Sequence, residues 1–239
     1  MKKISTKTLF FKTIAVLLLI SALFFYSYFW IFLYPNHQLE KTYYEQKCQS
    51  FEVQNFNLSK GQIVFIGDSI TDLYPLDSYY SDLPLAVYNR GIAGDRTDGV
   101  IDRLKVSLYD IAPSKIVLMI GINDINSGRN NDEIISNYTK ILAGIKQNLP
   151  NTQVFCMSVL SVKKEFEQYF DLTIIIPQIK DLNTKIENLA QNYSYTYLDL
   201  FSLTIDQNNY LIDGYSDDSI HLNSNGFNVW TNLVKPYLV

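Results

Sequence analysis

The sequence predicts an α/β protein with three layers, in which helices cover both faces of a five-stranded parallel sheet, preceded by an N-terminal transmembrane helix. Two observations predict the layered domain. Five short apolar runs rich in β-branched residues follow residue 61, and helical patterns with one apolar face separate them. The transmembrane helix is predicted because residues 13–34 form a single uncharged, strongly apolar run.

The composition excludes several classes of protein. The 239 residues carry a net charge of -4 and include only two Cys and two His. Two Cys exclude a disulfide-dense scaffold and a Cys-rich zinc module, and two His leave little room for a His-based metal site. The acidic balance argues against nucleic acid as a partner. We therefore expect no cofactor, no metal ion and no nucleic-acid partner, while the oligomeric state stays open.

The N-terminal segment differs sharply in charge from the rest. Residues 1–34 contain four Lys and no acidic residue, so the total of -4 leaves a charge of -8 on residues 35–239. All four Lys lie in residues 1–12, a basic leader that we expect to stay in the cytoplasm. At about 1.5 Å per residue, a helix over residues 13–34 spans the roughly 30 Å core of a bilayer. This predicts a single-pass protein of the cell membrane with an extracytoplasmic domain.

Other interpretations of residues 13–34 fit less well. A cleaved signal peptide needs a shorter apolar core and small residues at its cleavage site, where this run has bulky aromatics. A lipoprotein needs a Cys directly after the run, and Cys48 is too far downstream. A buried core helix would not be apolar on every face. An uncleaved signal anchor is therefore our interpretation.

Residues 35–60 are polar with scattered aromatics, and we interpret them as a stalk with a short helix packed on the domain that follows. Residues 61–239 form that domain. Strands are predicted at 62–67, 85–91, 115–121, 152–160 and 195–200. Helices are predicted at 98–111, 132–149, 176–193 and 223–238. Ligands of such sheets bind outside the carboxyl ends of the strands, so the residues after each strand are the candidates for function.

Three of these turns carry candidate groups. Ser69 follows the first strand in Gly67-Asp68-Ser69-Ile70, and its hydroxyl suits a nucleophile or, equally, a helix N-cap. Gly91, which ends the second strand, and Gly94 in the turn 92–97 lie three residues apart, as in a tight loop, although the turn matches neither a P-loop nor a dinucleotide fingerprint. Asn123 offers an amide donor after the third strand, at the same edge of the sheet. Each turn by itself is also compatible with an ordinary βα connection.

A carboxylate and an imidazole lie close together near the C-terminus. Asp218 precedes His221 by three residues, so one turn suffices to pair them and fix the tautomer of the ring. The neighbouring Asp217 is a less favoured candidate for the carboxylate that pairs with His221. The other histidine, His37, follows the membrane-spanning run by only a few residues, which leaves His221 as the candidate general base.

Together the blocks GDSI, NRGIAGD, GIND and DSIHLN resemble the SGNH/GDSL hydrolase family, in order and in spacing, over about residues 40–239. The chain looks most like the serine esterases related to platelet-activating-factor acetylhydrolase. The resemblance implies a flavodoxin-like three-layer fold. This sequence departs from the usual pattern in GIND for GTND, in DSIH for DGIH, and in Ser161 where a Pro is frequent. None of these changes removes a functional group.

The resemblance also implies a role for each candidate. Ser69 would be the nucleophile, His221 the general base and then acid, and Asp218 the orienting carboxylate. The oxyanion hole would combine the backbone N–H groups of Ser69 and Gly94 with the side-chain amide of Asn123. These roles suit hydrolysis of short-chain acyl esters, above all acetyl esters, on a small molecule, glycan or lipid. An O-acyltransferase acting on cell-surface glycans with the same triad is the alternative, and a weakly active binding module is a third.

The remaining polar residues have simpler interpretations. Asp68, Asp95 and Asp124 flank the blocks and are expected to bond loop backbone rather than a metal ion. Cys156 is expected to be a buried thiol, with a Cys48–Cys156 disulfide left open. Residues 163–172 suit either a loop beside the substrate pocket or a plain surface connection.

Overall fold

The structure, a computed structural model, describes the backbone of residues 6–239 and the side chains of residues 14–31 and 42–239. The first five residues of the predicted basic leader therefore lie outside the described residues. The chain divides into two compact units, one ending at Gln46 and the other comprising Lys47–Val239. The domain boundaries proposed from the sequence stay predictions.

The first unit contains the apolar run. Helix α1 covers Thr6–Tyr28, and a π-helical turn covers Phe29–Leu33. Within them, Ile14–Ile31 has a mean hydropathy of 2.2 and none of its residues is buried. By length and composition this segment is able to cross a membrane. Helix α2 follows at Tyr34–Asn55, so the segment interpreted as a stalk is mostly helical.

The second unit contains the predicted sheet. Its strands are β1 (Ile63–Gly67), β2 (Val87–Gly91), β3 (Lys115–Met119), β4 (Gln153–Met157) and β5 (Thr196–Leu198). The strands are parallel and lie in the order β2-β1-β3-β4-β5, which confirms the predicted α/β class. β4 is shorter than the predicted 152–160, because beyond Met157 the amide of Asn183 bonds both the N–H and the carbonyl of Val159.

Eight helices of this unit connect or flank the strands. They are α3 (Ser69–Asp72), α4 (Leu76–Tyr80), α5 (Thr97–Asp102), α6 (Ile122–Asn126), α7 (Asn131–Asn148), α8 (Leu172–Asn192), α9 (Phe201–Thr204) and α10 (Ser224–Val234). The four long predicted helices are found, with two differences. The predicted helix 98–111 divides into α5 and a π-helical turn at Lys105–Tyr109. α8 begins before the predicted 176, because Asp171 caps it by accepting from the N–H of Thr173.

The core is apolar on both sides of the sheet. All five residues of β1 are buried. Phe65 of β1 lies 5.3 Å from Tyr80 and 6.1 Å from Trp230 of α10, measured between ring centroids. Tyr138 and Ile141 of α7 are fully buried as well. Packing of this kind holds the strand ends in fixed positions, which a reactive site built on them requires.

The carboxyl ends of three neighbouring strands meet at one edge. In the register of the ladders, Gly67 at the end of β1 lies beside Gly91 of β2 and Met119 of β3. The backbone of α3 passes directly over β2, since a Cβ atom on Gly91 would lie 2.2 Å from the nitrogen of Asp72. Glycine at position 91 therefore allows α3, which begins at Ser69, to lie close to the end of β2.

We expect Gly91→Ala to lower the free energy of unfolding by about 3 kcal/mol, because the new methyl group meets backbone that is unable to move aside. Urea unfolding of the full chain measures the change. Gly214→Ala is the matched control, because a Cβ atom there meets nothing within 4 Å. Equal stability of the two variants would contradict the close approach of α3 and β2.

Candidate active site

Ser69 is the first residue of α3 and points toward the C-terminal loop. Asp68 occupies the N-cap position, and its Oδ1 accepts a hydrogen bond from the N–H of Ile70 at 3.0 Å. The capping function therefore belongs to Asp68, which leaves the hydroxyl of Ser69 for another partner. That partner is His221, whose Nε2 lies 2.8 Å from Ser69 Oγ.

Asp218 holds the other side of the imidazole. Its Oδ2 lies 2.6 Å from His221 Nδ1, while its Oδ1 accepts from the backbone N–H groups of Ile220 and His221 at 3.1 and 2.8 Å. Partial burial raises the pKa of Asp218, but the hydrogen bonds from the ring and backbone of His221 and from Ile220 outweigh it, so the net pKa is lowered. An ionised Asp218 fixes Nδ1 as the protonated nitrogen and leaves Nε2 as an acceptor toward Ser69.

Asp217 takes a different partner. Its Oδ1 accepts from Nδ2 of Asn223, the N-cap residue of α10, at 3.0 Å. The structure thus brings Asp218, and not Asp217, to the imidazole, as the three-residue spacing predicts. The side chain of the other histidine, His37, lies outside the described residues.

The loop after β2 carries Gly94 to the same edge. Gly94 has φ +78°, in the left-handed region that favours glycine. The flanking residues are tied down: Ile92 donates its N–H to the carbonyl of Gly67 and Ala93 donates to Asp72 Oδ2, both at 3.1 Å. Among the described residues, the N–H groups of Ser69 and Gly94 have no protein acceptor, so both remain available to a ligand.

Asn123 lies in α6 beside this loop. Its Nδ2 donates one hydrogen bond to the backbone carbonyl of Asp95 at 2.9 Å, which orients the amide and leaves its second hydrogen free to donate elsewhere. The structure therefore brings Ser69, Gly94, Asn123, Asp218 and His221 to the carboxyl edge of the sheet. This is the edge at which the turns after the first three strands were predicted to meet.

A buried arginine that the sequence analysis missed ties this edge together. The side chain of Arg103 is 1% exposed and pairs with Asp95 at 2.8 Å. It also donates to the carbonyl oxygens of Gly67 and Arg90, at 2.9 and 2.7 Å, and so binds the ends of β1 and β2. In the sequence Arg103 lies among apolar and polar residues of an ordinary amphipathic pattern, which gives no signal of this role.

Asp124 joins α6, which carries Asn123, to the start of α5, which follows the Gly94 loop. Its carboxylate is fully buried and accepts from the N–H and the hydroxyl of Thr97, at 2.9 and 2.6 Å, and from Arg129 at 2.8 Å. As expected for the acidic residues flanking the blocks, Asp68, Asp95 and Asp124 all accept from loop backbone. In the described part of the chain, no three side chains of His, Cys, Asp or Glu form a group able to hold a metal ion.

Two further expectations concern residues around the site. Cys156 is buried in β4 as expected, where burial raises the pKa of its thiol to about 12, and no disulfide joins it to Cys48. The segment 163–172 begins beside the loop of Asp218 and His221, because the N–H of Lys163 donates to the carbonyl of Ser219 at 2.9 Å. A role of this segment in a substrate pocket stays a prediction.

The carboxyl of Asp68, the residue before the nucleophile, is fully buried. Burial raises its pKa to about 7, opposed by the hydrogen bond from Ile70 and by Arg103 and supported by the charges of Asp95 and Asp124. Its Oδ2 has no hydrogen-bond partner among the described residues, as suits a group whose charged form is disfavoured. Below neutral pH the group is therefore an uncharged acid inside the protein.

Sequence comparison identifies the class. The model of the GDSL-like lipase/acylhydrolase family matches residues 65–229, so the chain belongs to that family and is a carboxylic ester hydrolase. This confirms the resemblance read from the four sequence blocks. A comparison with curated protein sequences finds no match.

Solved structures share the fold. A structure from Streptococcus pneumonia, described as a platelet activating factor, is 27% identical, with a TM-score of 0.79 and coverage of 87% of this chain and 98% of that one. A GDSL-like lipase from Bacteroides thetaiotaomicron VPI-5482 is 21% identical, with a TM-score of 0.71 and coverage of 80% and 96%. An acetylxylan esterase from Geobacillus stearothermophilus is 16% identical, with a TM-score of 0.58 and coverage of 76% and 95%.

The raised pKa of Asp68 predicts a pH-dependent stability. Between about pH 4 and pH 7 the folded chain keeps a proton that the unfolded chain has lost, so this group lowers the free energy of unfolding by up to about 1.4 kcal/mol per pH unit as pH rises. Asp68→Asn keeps an acceptor for Ile70 and stays neutral. We expect its stability relative to wild type to increase from pH 4 to 7 and then level off.

Urea unfolding at a series of pH values measures this difference. Asp171→Asn, which changes the exposed N-cap of α8, controls for the loss of a capping carboxylate. A stability difference between Asp68→Asn and wild type that stays constant from pH 4 to 7 would show that the buried carboxyl does not carry the proton.

Proposed function

We propose that this protein is a membrane-anchored, extracytoplasmic serine esterase that hydrolyses short-chain acyl esters, above all acetyl esters. The observation that carries the proposal is the continuous chain from Ser69 Oγ to His221 Nε2, at 2.8 Å, and from His221 Nδ1 to Asp218 Oδ2, at 2.6 Å. These contacts connect a hydroxyl, a base and a carboxylate in the order that nucleophilic catalysis requires.

In the first half-reaction, Ser69 Oγ attacks the carbonyl carbon of the ester while His221 Nε2 takes the hydroxyl proton. Asp218 stabilises the imidazolium that forms. The carbonyl oxygen becomes an oxyanion, and the N–H groups of Ser69 and Gly94 and the amide of Asn123 are the proposed donors to it. Each such donor lowers the barrier by about 3 kcal/mol. The bond to the alcohol oxygen then breaks, and His221 gives that oxygen its proton.

The second half-reaction releases the acid. Water attacks the acyl group on Ser69 while His221 takes one of its protons, a second oxyanion forms in the same place, and the bond to Ser69 Oγ breaks. His221 returns the proton to Oγ. If a sugar hydroxyl replaces water, the same acyl-enzyme yields the O-acyltransferase reaction, so the two activities differ only in the acceptor.

The anchor and the preference for acetyl groups have separate support. All residues of Ile14–Ile31 are exposed and the segment is uncharged, which suits lipid as its surroundings. The Lys residues before it favour a cytoplasmic N-terminus, and hence a catalytic domain on the other side. A preference for acetyl esters is supported by the acetylxylan esterase that shares the fold.

We expect Ser69→Ala and His221→Ala to lower kcat for p-nitrophenyl acetate by about 10⁴-fold or more, because each removes a group that bonds with or transfers a proton to the reacting atoms. The full chain in detergent is assayed. Asp218→Asn should lose about 10⁴-fold as well. Asp217→Asn is the matched control, because its carboxylate contacts Asn223 and not the imidazole. Activity in Ser69→Ala equal to wild type would overturn the mechanism.

The same assay defines the acyl group and the acceptor. Rates with p-nitrophenyl esters of increasing chain length should fall beyond the shortest acyl groups. Product analysis with an added glycan acceptor distinguishes release of free acid from transfer of the acyl group. A preference for long chains would contradict the proposed substrate class, and predominant transfer would favour the acyltransferase.

We expect the full chain to stay in the membrane fraction after alkaline carbonate extraction and to keep its N-terminus uncleaved. A membrane-impermeant fluorophosphonate should label Ser69 in intact cells. Leu18→Arg places a charge in the centre of the apolar segment and should reduce insertion, at a cost of about 3 kcal/mol. Release of the wild-type chain by carbonate, or labelling only after lysis, would contradict the anchor or its orientation.

A further inference from the structure

A lysine outside the family region is connected to the proposed oxyanion hole. Lys47 lies in α2, before residues 65–229 matched by the family model. Its Nζ lies 2.7 Å from Asp72 Oδ1, and the other oxygen of Asp72 accepts from the N–H of Ala93 at 3.1 Å. Asp72 is the last residue of α3, which begins at Ser69, and Ala93 directly precedes Gly94.

The end of α2 is packed on the domain around this contact. Phe51, one turn after Lys47, is 2% exposed, and the guanidinium of Arg90 lies 4.5 Å from the centre of its ring. Arg90 also donates to the side-chain oxygens of Gln54 and Asn55, each at 2.9 Å. Because Arg90 belongs to β2, residues 47–55 hold a fixed position relative to the strand that leads into the Gly94 loop.

The part of the loop around Gly94 is open. Ala93 and Gly94 are exposed, and a Cβ atom on Gly94 would meet nothing within 4 Å, although Ile92 before them is fully buried. Hydrogen bonds flank it on both sides. The N–H of Ile92 donates to Gly67, that of Asp95 donates to the carbonyl of Ile92, and Asn123 and Arg103 contact Asp95. The N–H of Ala93, next to Gly94, donates to the carboxylate of Asp72, and this carboxylate is the one that Lys47 of α2 contacts.

We propose that Lys47 is a positioning residue of the esterase site, a proposal that rests on the function proposed above. The ammonium holds one oxygen of Asp72, so that the other oxygen keeps the N–H of Ala93, and thereby Gly94, in place for the oxyanion. The side chains of Lys47 and Asp72 are 26% and 11% exposed, so the pair is partly shielded from water. Residues 47–55, the C-terminal end of α2, would thus be part of the catalytic scaffold.

The steady-state kinetics of full-length variants in detergent, with p-nitrophenyl acetate, test this role. We expect Lys47→Met to lower kcat about tenfold, because a misplaced donor weakens binding of the transition state. KM should change less than twofold, since the oxyanion forms only during the reaction. Lys47→Arg, which keeps the charge, should restore most of the rate.

A double-mutant cycle shows whether Lys47 acts through Asp72. Asp72→Ala should lower kcat at least as much as Lys47→Met, and adding Lys47→Met to Asp72→Ala should cause no further loss. Lys235→Met is the matched control, because Lys235 forms an ion pair of the same 2.7 Å length with Asp82 at a similar exposure of 32%. Its kcat should equal that of wild type.

The outcomes separate the two proposals. If Ser69→Ala is inactive but Lys47→Met keeps the wild-type kcat, the positioning role is wrong and the esterase mechanism stands. Additive losses in the double variant, or a loss in Lys47→Met that disappears when equal amounts of folded protein are compared, would also overturn the positioning role. If Ser69→Ala retains full activity, the proposed function itself fails.

Discussion

The site depends on a single constraint: the ends of adjacent parallel strands must be held at fixed distances although each continues into an irregular loop. A buried guanidinium meets this constraint. Arg103 donates to the carbonyl oxygens of Gly67 and Arg90 and pairs with Asp95, whose own carbonyl orients the amide of Asn123. Burying an ion pair is costly unless its hydrogen bonds are satisfied, and here strand ends provide the acceptors. The fold thus uses a charge to fix backbone geometry.

The aspartates near these strand ends differ in pKa because their surroundings differ. Burial keeps Asp68 neutral below about pH 7. Burial likewise raises the pKa of Asp95, against the attraction of Arg103. Asp218 is half exposed, and hydrogen bonds from His221 and Ile220 lower its pKa. The carboxylate that must stay charged beside the imidazole is therefore the one with access to water and to N–H donors.

The sequence predicted the strands and the motif turns well, because the apolar runs and the Gly-Asp-Ser and Asp-x-x-His blocks are local patterns. It left open whether Ser69 caps a helix, and the structure assigns that role to Asp68. It gave no signal for Arg103 or Lys47, because their partners are distant in the chain: Lys47 contacts Asp72, and Arg103 contacts Gly67. The sequence also placed the ends of β4 and α5 too late. After β4, the side chain of Asn183 bonds the backbone in place of a neighbouring strand, and after α5 a π-helical turn replaces the α-helix.

The sequence by itself determined the α/β class, the apolar N-terminal segment and the residue types available for catalysis, because periodicity, composition and short motifs are properties of neighbouring residues. Only the tertiary structure decided which carboxylate meets His221, which residue caps the nucleophile helix, and which distant cation contacts Asp72. These outcomes depend on distances between separate turns, and those distances are set by the order of the strands and the packing of the sheet.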